Sequence, residues 1–534
     1  MGNPLLAKKS MEMMVGETEE SGEHCLKRTL GAMSLMSLGV GAIIGAGIFV
    51  LTGAAAAQYA GPAIILSFVL AGIGCVFAGL CYAEFAAMIP LAGSAYTYAY
   101  ATLGELFAWI IGWDLILEYA FGAATVASGW SGYFNSLLQD FGIHIPPELT
   151  ATPGTQLVFY NDRWERLATV LTMLQARGMD SSSLPHATGS FNAIAFLAIC
   201  LVTTVLVIGI KESARLNNAV VLIKVAIVLI FIGVASIFVL KNPGVATANW
   251  HPFIPPNTGA FGKFGLSGIA RGAGVIFFAY IGFDAVSTAA QETRNPEKDM
   301  PVGILGSLVI CTILYILVAG LLTGVVKYTA LNVPDPVAVG VDAAGVGGVF
   351  HAVGHEIKIS SFLVKAGAVA GLGSVMLVML LGQSRVFYSM SRDGLLPRWA
   401  GRVHKRFRTP YISSVTVGIF VALFASLIPI GILGELVSIG TLLAFIIVCA
   451  GVWVLRITHP DLHRAFRTPW VPLVPILGIV VSGLMMLSLP RDTWLRLVVW
   501  LIIGLVIYFT YGRHHSRVGK LERGNKAAST LSQK

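Results

Sequence analysis

Twelve apolar runs dominate this chain, at roughly 30–53, 59–89, 103–135, 190–210, 217–240, 268–291, 303–326, 359–390, 411–429, 432–455, 470–489 and 494–511. Each is about 20 residues or longer, the length that carries an α-helix across a bilayer. With 56% hydrophobic and only 12% charged residues, and a mean hydropathy of +0.78, the composition excludes an ordinary soluble domain. The expected fold class is an all-α integral membrane protein. Two runs are interrupted where a membrane helix should be continuous, by glycines in 39–49 and again in 277–284. Unpaired backbone groups survive at membrane depth only where protein or a water-filled cavity surrounds them, so the interruptions point to a binding site inside the bilayer, as in a carrier.

The net charge of +9 raises nucleic acid as a partner, but the basic residues sort by side rather than forming a patch. With the amino terminus inside, the cytoplasmic loops hold 23 Lys and Arg, the opposite loops and helix rims 11, and the spans two, Lys224 and Arg385. That bias follows the positive-inside rule. Nucleic acid is therefore not an expected partner, and both termini are expected in the cytoplasm. Residues 1–29 form a tail with an acidic run at Glu17, Glu19 and Glu20 but no stretch of signal-peptide length, so the first run is expected to act as the uncleaved insertion signal. A second, basic tail covers 512–534.

Cys75, Cys81, Cys200, Cys311 and Cys449 fall within apolar runs and Cys25 in the tail, which yields no disulfide framework and no metal-ligand spacing. Most loops are short. The exception, 136–189, reads as an extracytoplasmic insertion, and Trp164, Leu167, Ala168, Leu171 and Leu174 recur within it at helical spacing, predicting a short amphipathic helix.

The interrupted runs are the first and the sixth, the spacing expected if spans one to five (30–240) and six to ten (268–455) are inverted repeats, with 470–511 holding the last two. A helix that stops at Gly45 and restarts near Gly47 presents the N–H groups of Ala46, Gly47 and Ile48, a positive end suited to a carboxylate. If the sixth run ends its first half at Phe278 to Ile281, free carbonyls there accept from an ammonium, and the two ends together hold an amino acid backbone. The competing reading makes Gly39, Gly41, Gly45 and Gly47 small residues that let helices approach.

The run Gly41-Ala-Ile-Ile-Gly-Ala-Gly-Ile-Phe49, the segments Tyr82-Ala-Glu84 and Pro90 to Tyr98, the stretch Phe277 to Pro301 and the motif Ser391-Arg-Asp-Gly-Leu-Leu-Pro397 resemble the amino acid, polyamine and organocation transporter superfamily. Within it the chain resembles the bacterial cationic amino acid transporter branch, over about residues 30–510 without the insertion. The resemblance implies a leucine-transporter-like fold with 12 transmembrane helices, a 5+5 inverted repeat and discontinuous helices 1 and 6, working by alternating access in the inner membrane. Carried over by position, Ile43, Gly45, Ala46 and Gly47 line the carboxylate end, and Phe278, Ala279 and Ile281 the amine end. Similar proteins often have Thr at the position of Ala46, so a hydroxyl is absent here.

Charged residues within spans are costly and normally have a task. Lys224 sits in an apolar stretch about 10 Å from the cytoplasmic end of the fifth run. It either snorkels to the headgroups or acts within the bundle. Resemblance to proton-coupled carriers favours the second role: a Lys at this position stands where other members bind sodium and cycles between charged and neutral forms, so the expected coupling ion is a proton, with no bound sodium and no cofactor. Glu118 lies one helical turn from Asp114 and is a candidate partner for a cationic side chain or, equally, a buried anchor. Asp284 is a candidate cap for the second half of the sixth run, or a substrate contact. Glu84 reads as structural. Neither a nucleophile elbow nor a phosphate loop nor a zinc motif appears, which argues against an enzyme or a primary pump. The expectation is a proton-coupled amino acid transporter for cationic or small neutral substrates; an exchanger without proton flux and a membrane amino acid sensor are the alternatives. The implied partners are the amino acid and the lipid bilayer, with a small accessory membrane subunit not deducible.

Overall fold

The computed structural model describes residues 7–9, 30–88, 94–160, 163–167, 170–171, 174, 180–208, 214–345, 348–352, 355–407 and 409–521. Glu17 to Glu20, Cys25, Pro90 to Gly93, Ala168 and the end of the basic tail lie outside them. The helices are α1 (Ala32–Ile43), α2 (Thr52–Ala55), α3 (Ile64–Met88), α4 (Ser94–Thr102), α5 (Glu105–Ile116), α6 (Gly122–Asp140), α7 (Ala193–Ile208), α8 (Ala214–Lys241), α9 (Pro243–Trp250), α10 (Gly265–Ile276), α11 (Pro296–Val325), α12 (Pro336–Ala344), α13 (Ile359–Arg392), α14 (Tyr411–Leu427), α15 (Ile430–Thr458), α16 (Leu473–Ser488) and α17 (Arg491–Ile507). Among the described residues, seven helical runs are long and apolar enough to cross a bilayer, and four apolar helices are shorter. The run Ala32–Met88 has 57 residues, roughly 85 Å if straight. It turns back instead at Gly61, whose φ of +62° favours glycine and where a Cβ would lie 2.5 Å from Pro255.

The first and sixth runs lie together at the centre. Leu30 bridges to Thr293, and the Arg294 N–H donates to the Leu30 carbonyl at 2.8 Å, so their ends are tied. An aromatic cluster of Tyr82, Phe277, Phe283 and Phe445, with ring centroids 5.1–5.6 Å apart, fixes the interrupted stretch of the sixth run against α3 and α15. Trp109 donates to the Gly504 carbonyl at 2.9 Å and stacks on Trp113, which holds α17 to α5.

The insertion departs from expectation. Three strands, β1 (Gln156–Tyr160), β2 (Arg163–Arg166) and β3 (His186–Thr188), form a sheet in the order β2-β1-β3. Trp164, expected on a helix, pairs across from Phe159, because Tyr160↔Arg163 register makes β1 and β2 a tight hairpin. Only from Leu167 onward is the chain helical at Val170, Leu171 and Leu174, and Val170 and Leu174 bury against Val158 of the sheet. A second hairpin pairs β4 (Val349–Ala352) with β5 (His355–Lys358).

Buried charge clamps the chain at both ends of the bundle. Glu84 accepts from Arg456 through Nε and an Nη, each at 2.9 Å, lies 3.2 Å from Arg464 and accepts the Thr468 N–H at 2.8 Å. The structural reading of Glu84 holds. Glu84→Ala leaves two guanidinium groups without their anion and is expected to cost about 3–5 kcal/mol. Arg496→Ala, which removes the more exposed partner of a pair 3.7 Å from Glu435 and leaves Glu435 its hydrogen bond from Thr493, is expected to cost about 1 kcal/mol or less. Thermal unfolding of the purified proteins in detergent compares the two; equal losses would contradict the assignment.

Candidate functional site

Helix α1 stops at Ile43 because Ile44 is extended, with ψ 99°. A π-helical turn, Gly47–Leu51, resumes the run, and the Phe49 N–H is the first to donate back, to the Gly45 carbonyl at 3.2 Å. The N–H groups of Ala46, Gly47 and Ile48 therefore stand at a helix start, as the sequence implied. Thr52 donates to the Gly47 carbonyl at 3.0 Å and Tyr133 to that of Phe49 at 2.6 Å, which braces the turn.

In the sixth run α10 tightens into a 3₁₀ turn, Phe277–Tyr280, before Ile281 extends with ψ 136° and Gly282 takes φ +116°. A second 3₁₀ segment, Asp284–Glu292, follows. Gly282 is required there: a Cβ would also fall 2.9 Å from the Ala42 carbonyl carbon. Asp284 reaches back rather than forward, accepting from the Gly282 N–H at 3.2 Å and from the Tyr119 hydroxyl at 3.2 Å. It stabilises the bend itself.

Of the predicted site residues, Gly47 is brought onto Ala279, and the Ile43 and Ala279 carbonyls share one neighbour, while the nearest side chain to Gly45 is Val375. Gly47 touches Ala279 so closely that a Cβ would lie 2.1 Å from the Ala279 Cα. Gly39 and Gly41 meet Ser307 and Val221 in the same way, at 2.5 and 2.3 Å, whereas a Cβ on Gly45 would find Val375 at 3.3 Å. Close helix approach is therefore the task of Gly39, Gly41 and Gly47, and a side chain on Gly47 collides with Ala279 before it reaches any carboxylate.

One residue escaped the sequence reading. The Tyr315 hydroxyl, from α11, lies 2.8 Å from the Ile43 carbonyl and 2.9 Å from that of Ala279, spanning the last carbonyls on either side of the two breaks. The only available signal was a phenol within an apolar run. Lys224 is 2% exposed and its Nζ donates to the Gly41 carbonyl at 2.6 Å, two residues before the break. An ammonium so enclosed does not snorkel.

Glu118 is buried in a π-helical turn, Leu117–Phe121, with its carboxyl adjoining those of Asp284 and the Thr441 hydroxyl. π-turns recur at functional positions in helices. Both Asp114 oxygens and Glu118 Oε1 lack a hydrogen-bond partner among the described residues. Asp114 faces the same helix, α15, where a Cβ on Gly440 would stand 3.2 Å from its Oδ1. No group of three or more metal-ligating side chains occurs among the described residues.

Residues 30–511 match the amino acid permease family model. The chain is 44% identical, over 97% of its length and 100% of the relative's, to the branched-chain amino acid permease BcaP of Bacillus subtilis. It is 42% identical to the methylthioribose transporter of the same organism, over 97% and 99%, and 35% identical to the vacuolar cationic amino acid transporter 2 of Arabidopsis thaliana, over 86% and 64%. The chain belongs to the amino acid permease family. It is accordingly a multi-pass membrane transporter of the amino acid, polyamine and organocation superfamily, and not an enzyme.

The two glycines of the first break separate packing from access. Gly47→Ala is expected to lose uptake and about 1–3 kcal/mol of stability through overpacking. Gly45→Ala needs Val375 to yield by a few tenths of an ångström and is expected to keep a near-wild-type melting temperature. Thermal unfolding and proteoliposome uptake of both variants test this.

Proposed function

We propose that the protein takes up amino acids across the cytoplasmic membrane by proton symport and alternating access, on a leucine-transporter-like scaffold of twelve transmembrane helices. In this reading 30–240 and 268–455 are the inverted repeats, 470–511 adds two helices and both tails are cytoplasmic. The observation that carries it is the meeting of two broken helices whose free ends are opposite in polarity. The substrate carboxylate accepts from the N–H groups of Ala46, Gly47 and Ile48, and its ammonium donates to spare lone pairs on the carbonyls of Phe278, Ala279 and Ile281.

Ile43, Ala46, Phe278 and Ile281 are apolar, and Glu118 is directed to Asp284 and Thr441. Both features support aliphatic neutral side chains as the main substrates, in keeping with the name of the 44% identical relative. Cationic substrates remain the second reading, favoured by the unpartnered Glu118 Oε1. Thermal shifts of the purified protein with each of the twenty amino acids, and with methylthioribose, separate these readings. Valine, leucine and isoleucine are expected to shift the wild type most. Glu118→Gln is expected to weaken arginine or lysine by about 1–3 kcal/mol relative to alanine only if the carboxylate meets the side chain; equal losses make it structural.

Lys224 provides the coupling. Protonated, its Nζ donates to the Gly41 carbonyl and holds the end of α1 to α8; neutral, it gives up the charge-assisted part of that bond, and the half-helix swings with the sixth run to which it is tied. Lys224→Ala is therefore expected to lose concentrative uptake into proteoliposomes under an acid-outside gradient while still inserting. Accumulation as steep as wild type would assign the proton elsewhere, and uptake that needs internal substrate would make the protein an exchanger.

A further inference from the structure

The turn that joins α13 to α14 gathers positive charge that the protein does not neutralise. Its one carboxylate over residues 392–407, Asp393, is occupied by the Lys9 ammonium at 2.7 Å and the Tyr96 hydroxyl at 2.6 Å. Arg392, Arg398, Arg402, Lys405 and Arg406 are exposed, and none of them is ion-paired among the described residues. Arg392 and Arg406 lie over the rings of Tyr388 and Phe407, 6.0 and 5.7 Å from the centroids, contacts that leave a guanidinium its charge.

The loop that carries them is internally braced. Ser391 donates to the Pro397 carbonyl at 3.0 Å and Ser413 to that of Ala400, which buries Ala400 within a 3₁₀ turn, Arg398–Gly401. His404 Nδ1 accepts the N–H groups of Arg406 and Phe407, each at 3.2 Å, and the His404 N–H donates to the Thr409 carbonyl at 2.8 Å. Phe407 stacks on the imidazole and Tyr411 meets it edge-on. The Thr409 hydroxyl donates to the Val207 carbonyl of α7 at 2.9 Å, tying the loop to the bundle. The cations are thus displayed on a fixed backbone.

Trp399 and Val403 are exposed among these cations, although Ala400 between them is buried. Beyond the loop, Val415, Ile419 and Leu423 recur every four residues on α14 and are exposed in turn, a stripe that faces lipid. It starts roughly 6 Å along the helix from Tyr411. The loop therefore stands at head-group depth above a surface for acyl chains. We propose that it docks an anionic phospholipid of the cytoplasmic leaflet, with the phosphate held by Arg398, Arg402, Lys405 and Arg406, Trp399 and Val403 at the glycerol level, and the chains along the α14 stripe. The side of the membrane follows from the topology proposed above. Such a lipid supplies the negative charge that the loop lacks, whereas a soluble polyanion such as a nucleic acid would leave Trp399 and Val403 in water.

Thermal unfolding of the delipidated full-length protein in neutral detergent, titrated with phosphatidylglycerol, phosphatidylcholine or glycerol phosphate, tests this apart from transport. Phosphatidylglycerol is expected to raise the wild-type melting temperature at a several-fold lower concentration than phosphatidylcholine, and glycerol phosphate to leave it unchanged. Arg398→Gln combined with Arg402→Gln is expected to abolish that preference, and Trp399→Ala to weaken phosphatidylglycerol binding several-fold. Lys241→Gln combined with Lys327→Gln, which removes the same charge from exposed positions at the opposite side of the bundle, is expected to keep it. Every residue replaced is exposed, so melting temperatures without added lipid are expected to match the wild type. Equal stabilisation by the two lipids, or equal loss of preference in the two double variants, overturns the docking surface. A shift with glycerol phosphate as large as that with phosphatidylglycerol overturns the lipid as occupant and leaves a site for a free anion.

Discussion

Every backbone N–H and C=O at membrane depth must find a partner, and the centre of this protein is organised around two places where its own helices stop supplying one. Breaking α1 after Ile43 and the sixth run after Tyr280 frees carbonyls and amides in the middle of an apolar bundle. The carbonyls are met from outside their own helices. Tyr315 reaches the Ile43 and Ala279 carbonyls with one hydroxyl, and Lys224 reaches that of Gly41. A hydroxyl has one proton for two acceptors, so one carbonyl lone pair is always underserved, which leaves the junction receptive to another donor.

The same junction explains why glycine is concentrated here. Gly47 and Ala279 are in contact at a distance no Cβ tolerates, and Gly39 and Gly41 seat α1 against α11 and α8. Packing this dense leaves no space for a side chain on any of these three glycines, since interiors at native density do not deform continuously. The Leu30 to Thr293 bridge joins the ends of the two runs.

The helical segments and both interruptions were legible in the sequence, because apolar length and glycine position are local properties. Gly47 and Ala279, one from each break, did come together, and Lys224 was marked by its cost in an apolar run. What was hidden depends on tertiary geometry. Tyr315 acts through a carbonyl 272 residues away and has no local pattern. Asp284 is drawn back to Gly282 by a positive φ that its own sequence neighbourhood shares with many glycines. Trp164, Leu167 and Leu174 have helical spacing, but Trp164 answers to a cross-strand partner, Phe159, that periodicity cannot see. Gly47 offered two readings, and only its distance to Ala279 decides that packing comes first.

Charge is then distributed according to what must hold and what must move. Fixed pairs occupy the ends of the bundle: Glu84 with Arg456 and Arg464 at one, Asp140 with Arg163 and Lys365 at the other. At the first of these ends, Lys9 and the Tyr96 hydroxyl bind the Asp393 carboxylate at 2.7 and 2.6 Å, and the Arg517 N–H donates to the Asp393 carbonyl at 3.0 Å, so segments near both termini converge on the turn after α13. Among the described residues, the centre carries no such closed pair on the α1 side. Lys224 faces a neutral carbonyl rather than a carboxylate. Closed ion pairs thus lie at the two ends of the bundle, while the broken helices between them are held by hydrogen bonds to neutral carbonyls and by close glycine contacts.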